Sequence, residues 1–416
     1  MDMTSKPIAG PSLSEFEAAR ATVGKVAQST PMETSRYLSK VLGSEVFLKC
    51  ENLQRTGSYK LRGAYNRLSQ LSADERAKGV IAASAGNHAQ GVALAARELG
   101  IKATIFMPLG VALPKLEATR EYGAEVVLTG NIFNESLKAA KEFAAETGGI
   151  FIAPFDHQDV IIGQGTLGLE ILEEVPDVDT IIVPIGGGGL ISGVASAVKQ
   201  QAATLGRTIR IIGVQAENAA AYPPSLEAKE PVTVDVHPTI CDGIAVARPG
   251  TLNFEIIKDT VDEVVTVSDD DTARALVMLL ERAKLVVEPA GAVGVAAIMA
   301  KKIKKTGKTV AILSGGNIDP LLLQRIVGHG LAASERYLKL RVMLPDRPGQ
   351  LARTAEIVSE QNANVVEVLH TRHGRGLQIS EVELELHIET RGKEHRKQVI
   401  KALRDEGFKV RISDDI

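Results

Sequence analysis

The chain has 416 residues, a net charge of −3 and 44% hydrophobic content. That is enough for more than one domain, and so balanced a charge argues against binding nucleic acid or an anionic membrane through bulk electrostatics. Cys50 and Cys241 are the only cysteines, so neither a disulfide framework nor a cysteine-based metal cluster is available. Residues 1–17 mix polar, charged and small side chains without the apolar stretch of a secretory signal. No apolar run approaches the roughly 20 residues of a membrane helix. A cytoplasmic protein is expected.

In chain order, the apolar spacing of Leu13, Phe16, Ala19 and Val23 predicts a helix from Ser12, and a shorter one follows over 35–42. The strand-like run 45–50 leads into the polar stretch Gln54-Arg55-Thr56-Gly57-Ser58-Tyr59-Lys60, and Leu61, Ala64, Tyr65 and Leu68 then predict a helix. Strands over 79–83, 103–107 and 125–128 alternate with helices over 88–99, 113–122 and 133–147. A second series follows, with strands at 150–153, 180–185, 210–215, 264–267 and 309–313. Its helices fall at 163–175, 190–201 and 273–285. Apolar strands without alternation, separated by amphipathic helices, imply parallel strands covered on both faces. The class is α/β with two lobes. The acidic run Asp269-Asp270-Asp271 resembles a metal site, but it follows Ser268 and precedes a helix, so an N-cap with dipole-compensating carboxylates is expected.

Beyond residue 332 the texture changes to strand 337–344, turn Asp346-Arg347-Pro348-Gly349 and helix 350–361. Strands 364–373 and 377–389 are joined through Gly374 and Gly376, and helix 394–406 and strand 409–412 complete the region. This βαββαβ order is ferredoxin-like. It also describes RNA-binding modules, which stack bases on central-strand aromatics, but residues 364–389 contain no Phe, Tyr or Trp.

Ligands of an open parallel sheet sit beyond the carboxyl ends of its strands. Three turns occupy such positions: Ser84-Ala85-Gly86-Asn87-His88, Gly186-Gly187-Gly188-Gly189-Leu190 and Ser314-Gly315-Gly316-Asn317. The first two open onto helices, whose free N–H groups hold phosphate or carboxylate. The tetraglycine turn lacks the Lys-Ser/Thr ending of a nucleotide loop, and tight packing alone would also account for it. Lys60 sits near a helix start, where the dipole disfavours an ammonium and favours the free amine of a Schiff-base lysine. A surface lysine on a first helical turn is the plain alternative. A nucleophilic lysine beside an anion cradle suits pyridoxal phosphate.

These four motifs, in this order, resemble the serine/threonine dehydratases of pyridoxal-phosphate fold type II, over nearly all of residues 10–332. The terminal region resembles an ACT domain, so the whole chain is similar to the threonine ammonia-lyase family with one such module. The resemblance implies a catalytic region over 1–332, with a smaller lobe at about 53–155, a linker at 333–337 and an ACT-like regulatory domain over 338–416. It implies that Lys60 holds the cofactor and removes the Cα proton, and that Ser84 joins it as a catalytic residue. Tyr59 would lie beside the ring, Asn87 would bond the ring oxygen and Ser314 would face the pyridine nitrogen. Gly186, Gly187, Gly188, Gly189 and Leu190 would bind the phosphate. Ser84, Ala85, Gly86, Asn87 and His88 would receive the substrate carboxylate.

The reaction so implied is β-elimination of L-threonine to 2-oxobutyrate and ammonia, with L-serine to pyruvate as a side activity. Related racemases carry a serine where this chain has Ala85, so racemisation should be poor. Relatives with a divalent metal use a glutamate matching Glu217 and an acidic residue six positions on; here that is Pro223, and no such site is expected. An amino-acid effector would bind near Asp346, Arg347, Pro348 and Gly349, and a homo-oligomer, dimer or tetramer, is expected. Isoleucine biosynthesis and threonine breakdown both suit this reading. The alternatives are a dehydratase preferring serine or another β-hydroxy amino acid, and a non-catalytic amino-acid sensor.

Overall fold

The computed structural model describes residues 10–304, 306–333, 335–372 and 378–413. The chain divides into two compact units, Met1–Asp319 and Pro320–Ile416. Among the described residues no helix is long and apolar enough to cross a membrane.

The first unit holds two sheets. Strands β1 (Met32–Thr34) and β2 (Val46–Lys49) come first, followed by β3 (Val80–Ala83), β4 (Ala103–Met107), β5 (Glu125–Leu128) and β6 (Ile150–Phe151). The last four form a parallel sheet in the order β5-β4-β3-β6. Its two faces bury different sets of side chains. Ala82, Ile105 and Met107 pack with Leu61, Leu68 and Val92 of the helices Lys60–Ser69 and Asn87–Leu99. Ile81, Ala83 and Phe106 pack with Ala140 of the helix Phe133–Thr147. Strands buried on both sides need no alternation, which is why these runs read as continuously apolar.

The chain then returns to the first sheet with β7 (Thr180–Pro184), β8 (Arg210–Ala216), β9 (Glu263–Val267) and β10 (Thr309–Ile312). The six strands run β1-β2-β10-β7-β8-β9, parallel except for the edge strand β1. Three helices of this unit that pack against its core were not foreseen: Tyr222–Ala228, Thr251–Thr260 and Pro289–Met299. The last is Ala/Gly-rich and apolar on all sides, so it carries no 3.6-residue stripe to read. The helix expected over 163–175 runs Gln158–Glu174. It starts early because His157 Nδ1 accepts the Asp159 N–H at 3.2 Å.

Ser268 caps the helix Asp269–Met278, accepting the Asp271 N–H at 3.1 Å, while Asp269 binds the Thr239 hydroxyl at 2.6 Å and the Ile240 N–H at 3.0 Å. The acidic run is therefore a helix start. That helix stops earlier than expected, passing into a π turn over Leu279–Ala283.

The segment carrying Lys60 is tied to the large sheet by buried charge. Arg62, 3% exposed, forks onto Glu51 through Nε and Nη2, each at 2.8 Å, and Nη2 also meets Glu170 at 2.8 Å. Lys49, fully buried on β2, donates to Glu170 (2.6 Å), to Glu174 (2.9 Å) and to the Thr30 carbonyl (2.7 Å). Burial pushes the Glu170 carboxyl up, but Arg62 and Lys49 outweigh it and hold the group below its ordinary range.

In the second unit, β11 (Tyr337–Pro345), β12 (Asn364–Thr371), β13 (Glu381–Glu389) and β14 (Lys409–Ile412) form an antiparallel sheet in the order β12-β13-β11-β14. Leu338, Leu340, Val342 and Leu344 alternate onto the face that buries Ile357, Val358, Val399 and Leu403 of the helices Gln350–Glu360 and Lys393–Asp405. The βαββαβ order is as read, and the helix Pro320–Ala333 precedes it. The expected junction at Gly374 and Gly376 lies outside the described residues, and β13 begins at Glu381 rather than 377.

Arg62→Leu would leave Glu51 buried without its main counter-charge, a change worth about 3–5 kcal/mol. Urea unfolding of variant and wild type should show a loss of that size.

Candidate active site

Each of the three glycine-bearing turns of the first unit lies at the carboxyl end of a parallel strand, and side-chain contacts join the two after β3 and β10. Lys60 is the first residue of its helix, half-buried, and its Nζ donates to the Pro154 carbonyl at 3.1 Å. The Tyr59 ring centroid is 5.3 Å from that nitrogen. The Tyr59 N–H donates to the Ser314 carbonyl at 3.1 Å, Gly316 N–H to the Gly57 carbonyl at 2.8 Å, and Ser58 bridges to Gly315. The lysine segment and the turn after β10 are thus stitched together backbone to backbone.

The Ser84–His88 turn enters from the other sheet. Its helix crosses the lysine helix at Gly91, where a Cβ would sit 3.1 Å from the Lys60 carbonyl carbon. Any larger residue there would push the two helix starts apart. Asn317 fastens the junction: its Nδ2 lies 2.7 Å from the Thr56 carbonyl, 2.8 Å from Asn87 Oδ1 and 3.1 Å from Gln90 Oε1. Ser84 Oγ accepts the Gly86 N–H at 3.1 Å, which shapes the turn. The N–H groups of the first helical turn after Gly86 lack intrahelical acceptors and present the positive end of the helix to an anion.

Expected to neighbour the substrate carboxylate, the His88 side chain turns inward instead. Nε2 donates to the Ile152 carbonyl at 3.0 Å. Burial first, then the nearby Lys60 charge, push the imidazole down to about 3, so it is neutral at physiological pH.

The tetraglycine turn follows β7 and opens the helix Gly189–Thr204. Gly188 has φ +107°, which an L side chain rarely adopts. Added Cβ atoms at Gly187 and Gly189 would collide with Phe155, and at Gly186 one would sit 3.1 Å from the Ile244 backbone. With the back of the loop so closely packed, the amides of its forward side at the helix start remain for a dianion. Leu190, 3% exposed, anchors the helix into the core of the six-stranded sheet.

Sequence reading missed two participants. Glu288, 5% exposed, accepts from Asn87 Nδ2 at 2.6 Å, and a Cβ on Gly315 would fall on its Oε1. Burial, with the Asp242 charge, pushes its carboxyl up to about 7, against the opposing pull of Lys115, Asn87 and Lys60. Lys115 pairs with Asp242 at 3.2 Å, and its Nζ would be 3.6 Å from a Cβ at Gly86, so a cation stands over the Ser84–His88 turn. Both stand at helix starts, Glu288 just before Pro289–Met299 and Lys115 in the first turn of Leu113–Glu121, but only the packing of the chain brings them to the Ser84–His88 turn.

The donor set fits pyridoxal phosphate. It comprises a half-buried primary amine, a glycine cradle at a helix start and, among the described residues, a fully buried hydroxyl on Ser58 with no hydrogen-bond partner.

Comparison with known proteins agrees with this geometry. A profile for pyridoxal-phosphate dependent enzymes matches residues 25–315, and one for the ACT domain matches residues 339–408. The chain is 46% identical over 400 residues to an L-threonine ammonia-lyase of Thermotoga maritima, covering 96% of this chain and 99% of that protein. Another L-threonine ammonia-lyase, from Geobacter sulfurreducens, is 48% identical over 389 residues, covering 93% and 96%. Among solved structures, the processed form of threonine deaminase isoform 2 from Solanum lycopersicum superposes with a TM-score of 0.72 at 39% identity, covering 78% of this chain and 95% of that one.

Glu288 sets a test by pH. Its raised carboxyl keeps a proton that the unfolded chain releases above its ordinary value of 4.5. The folded state therefore binds more protons in that window, and stability falls as pH rises from about 4.5 to 7, by on the order of 3 kcal/mol. In the cofactor-free protein, Glu288→Gln should flatten this fall, read as thermal midpoints of both proteins between pH 4.5 and 8.

Proposed function

Since the chain belongs to the pyridoxal-phosphate-dependent enzyme family, we propose that the site built around Lys60 carries out the threonine ammonia-lyase reaction. L-threonine loses its Cα proton and β-hydroxyl, and is released as 2-oxobutyrate and ammonia. The observation that supports this most directly is the convergence on Lys60 of the turns after β3 and β10, in a chain whose likeness to two L-threonine ammonia-lyases extends through both units.

When bound, pyridoxal phosphate supplies an electron sink that stabilises negative charge at Cα. Lys60 Nζ would hold the cofactor, and its free amine would be the base that takes the substrate's Cα proton. Gly186 to Gly189, with Leu190, hold the phosphate through backbone N–H groups. Asn87 orients the ring through its side-chain amide, with Glu288 and Asn317 fixing that amide's rotamer. Ser314 would offer the ring nitrogen a hydroxyl rather than a carboxylate. Ser84, Ala85, Gly86 and Asn87 form the substrate carboxylate site, and Lys115 adds positive charge above it. The contribution of His88 is its main-chain N–H, its ring being committed to Ile152.

The second unit is read as a regulatory ACT module. Asp346 and Arg347, two of the four residues expected at an effector site, line a groove of about 340 Å³ together with Ser380, Glu381, Phe408 and Lys409. Two cations and two carboxylates beside an aromatic ring match the charges and side chain of a zwitterionic amino acid. Pro348 and Gly349 are outside this lining. A cytoplasmic homo-oligomer completes the reading. A serine-preferring enzyme is the second reading, because one methyl group is worth only about 1–3 kcal/mol in a pocket.

Purified protein should release 2-oxobutyrate from L-threonine faster, in kcat/KM, than pyruvate from L-serine. Lys60→Ala should lower both by about 10³-fold or more. The reverse ratio would establish the serine-preferring reading, and no release from either would overturn the reaction class for these substrates. Against a panel of amino acids, one is expected to shift the threonine saturation curve. Arg347→Ala should weaken that response about tenfold while leaving the effector-free rate unchanged.

A further inference from the structure

We propose that Tyr222 is a positioning residue for the phosphate cradle, its hydroxyl setting the direction of the Gly188 amide from behind the loop. This rests on the assignment of the glycine turn as the phosphate site. Tyr222 is fully buried and opens the helix Tyr222–Ala228, with its ring in the core shared by Leu190, Phe254 and Ile257. Its own N–H is held by Gln215 Oε1 at 2.9 Å, so the residue is fixed at both ends. The hydroxyl donates to the Gly187 carbonyl at 3.1 Å, and the Gly250 N–H reaches the same oxygen at 3.1 Å.

A trans peptide is planar, with its C=O and N–H pointing in opposite directions. Two donors pulling the Gly187 carbonyl inward therefore turn the N–H of Gly188 away from the core. This agrees with the positive φ of Gly188, where any Cβ would fall on Tyr222 Oη. Burial pushes the phenol above its ordinary value, so the hydroxyl remains a donor across the working pH range.

The second donor has its own support. Gly250 precedes the helix Thr251–Thr260, whose first amides, Thr251 and Leu252, are capped by Asp156 at 3.0 Å each. Phe155, next in sequence to that aspartate, packs against Gly187 and Gly189. Pro154 beside it accepts from Lys60. One short segment thus adjoins the lysine, the glycine loop and the helix that supplies the second donor. Tyr222 is the side-chain hydroxyl that completes this support.

The test compares pyridoxal phosphate with pyridoxal, which lacks the phosphate, in protein stripped of cofactor and titrated by absorbance. Tyr222→Phe keeps the buried ring and deletes one hydrogen bond. Its affinity for pyridoxal phosphate is expected to fall about tenfold while that for pyridoxal is unchanged. Inorganic phosphate is expected to stabilise the stripped wild type in a thermal-shift assay, and to stabilise the variant less. If the melting temperature drops but the ratio of the two affinities stays at its wild-type value, Tyr222 is only structural and the proposal is overturned. If the wild type itself does not prefer pyridoxal phosphate over pyridoxal, the cradle assignment fails and the proposal with it.

Discussion

The contact on which the rest of this fold depends is the buried guanidinium of Arg62 between Glu51 and Glu170. Arg62 lies two residues beyond Lys60, so whatever orients the guanidinium also orients the first turn of the lysine helix. Glu51 precedes that helix in the chain, and Glu170 comes from the long helix Gln158–Glu174. Lys49, Glu174 and Thr30 extend the cluster, with the Thr30 hydroxyl donating to Glu51 at 2.7 Å. A charge cluster this dry is costly to assemble, and it tolerates little change of geometry because each lost partner exposes a bare charge. Its value here is directional, holding a flexible lysine near a fixed point.

Around that point the fold uses the same device twice. A strand ends, a glycine-bearing turn exposes amides, and a helix begins. In the proposed reading the turn at Gly86 receives a carboxylate and the turn at Gly188 a phosphate. The difference lies behind the turns. The first is shaped by Ser84 and crossed by Lys115, while the second is packed against Phe155 and Tyr222. Glu288 sits beside the first receptor as a carboxyl that burial keeps partly protonated near neutrality, and so it can accept from Asn87 without imposing a full charge on the site.

The second unit obeys simpler physics. One sheet face is apolar and covered by two helices, the other polar, and alternation along β11 and β13 follows directly. Its groove beside Asp346 and Arg347 lies where the ends of β11, β13 and β14 meet the turns that join them.

Much of this was legible in the chain. Buried parallel strands announce themselves by continuous apolar runs, the βαββαβ unit by alternation, and the three turns by glycine and asparagine at strand ends. Ser268 was readable as a cap because the chemistry of capping is local. What was not legible had non-local causes. The helix Pro289–Met299 is apolar all round, and the inward turn of His88 depends on where the end of β6 places a carbonyl. The perturbation of Glu288 depends on burial by segments far away in sequence. Local pattern determined the strands and the turns and singled out Lys60 as the candidate nucleophile, since those rest on periodicity and on residues next to one another. Tertiary structure alone decided which side chains face the site and which support it from behind, because burial and hydrogen-bond partnership exist only once distant segments meet.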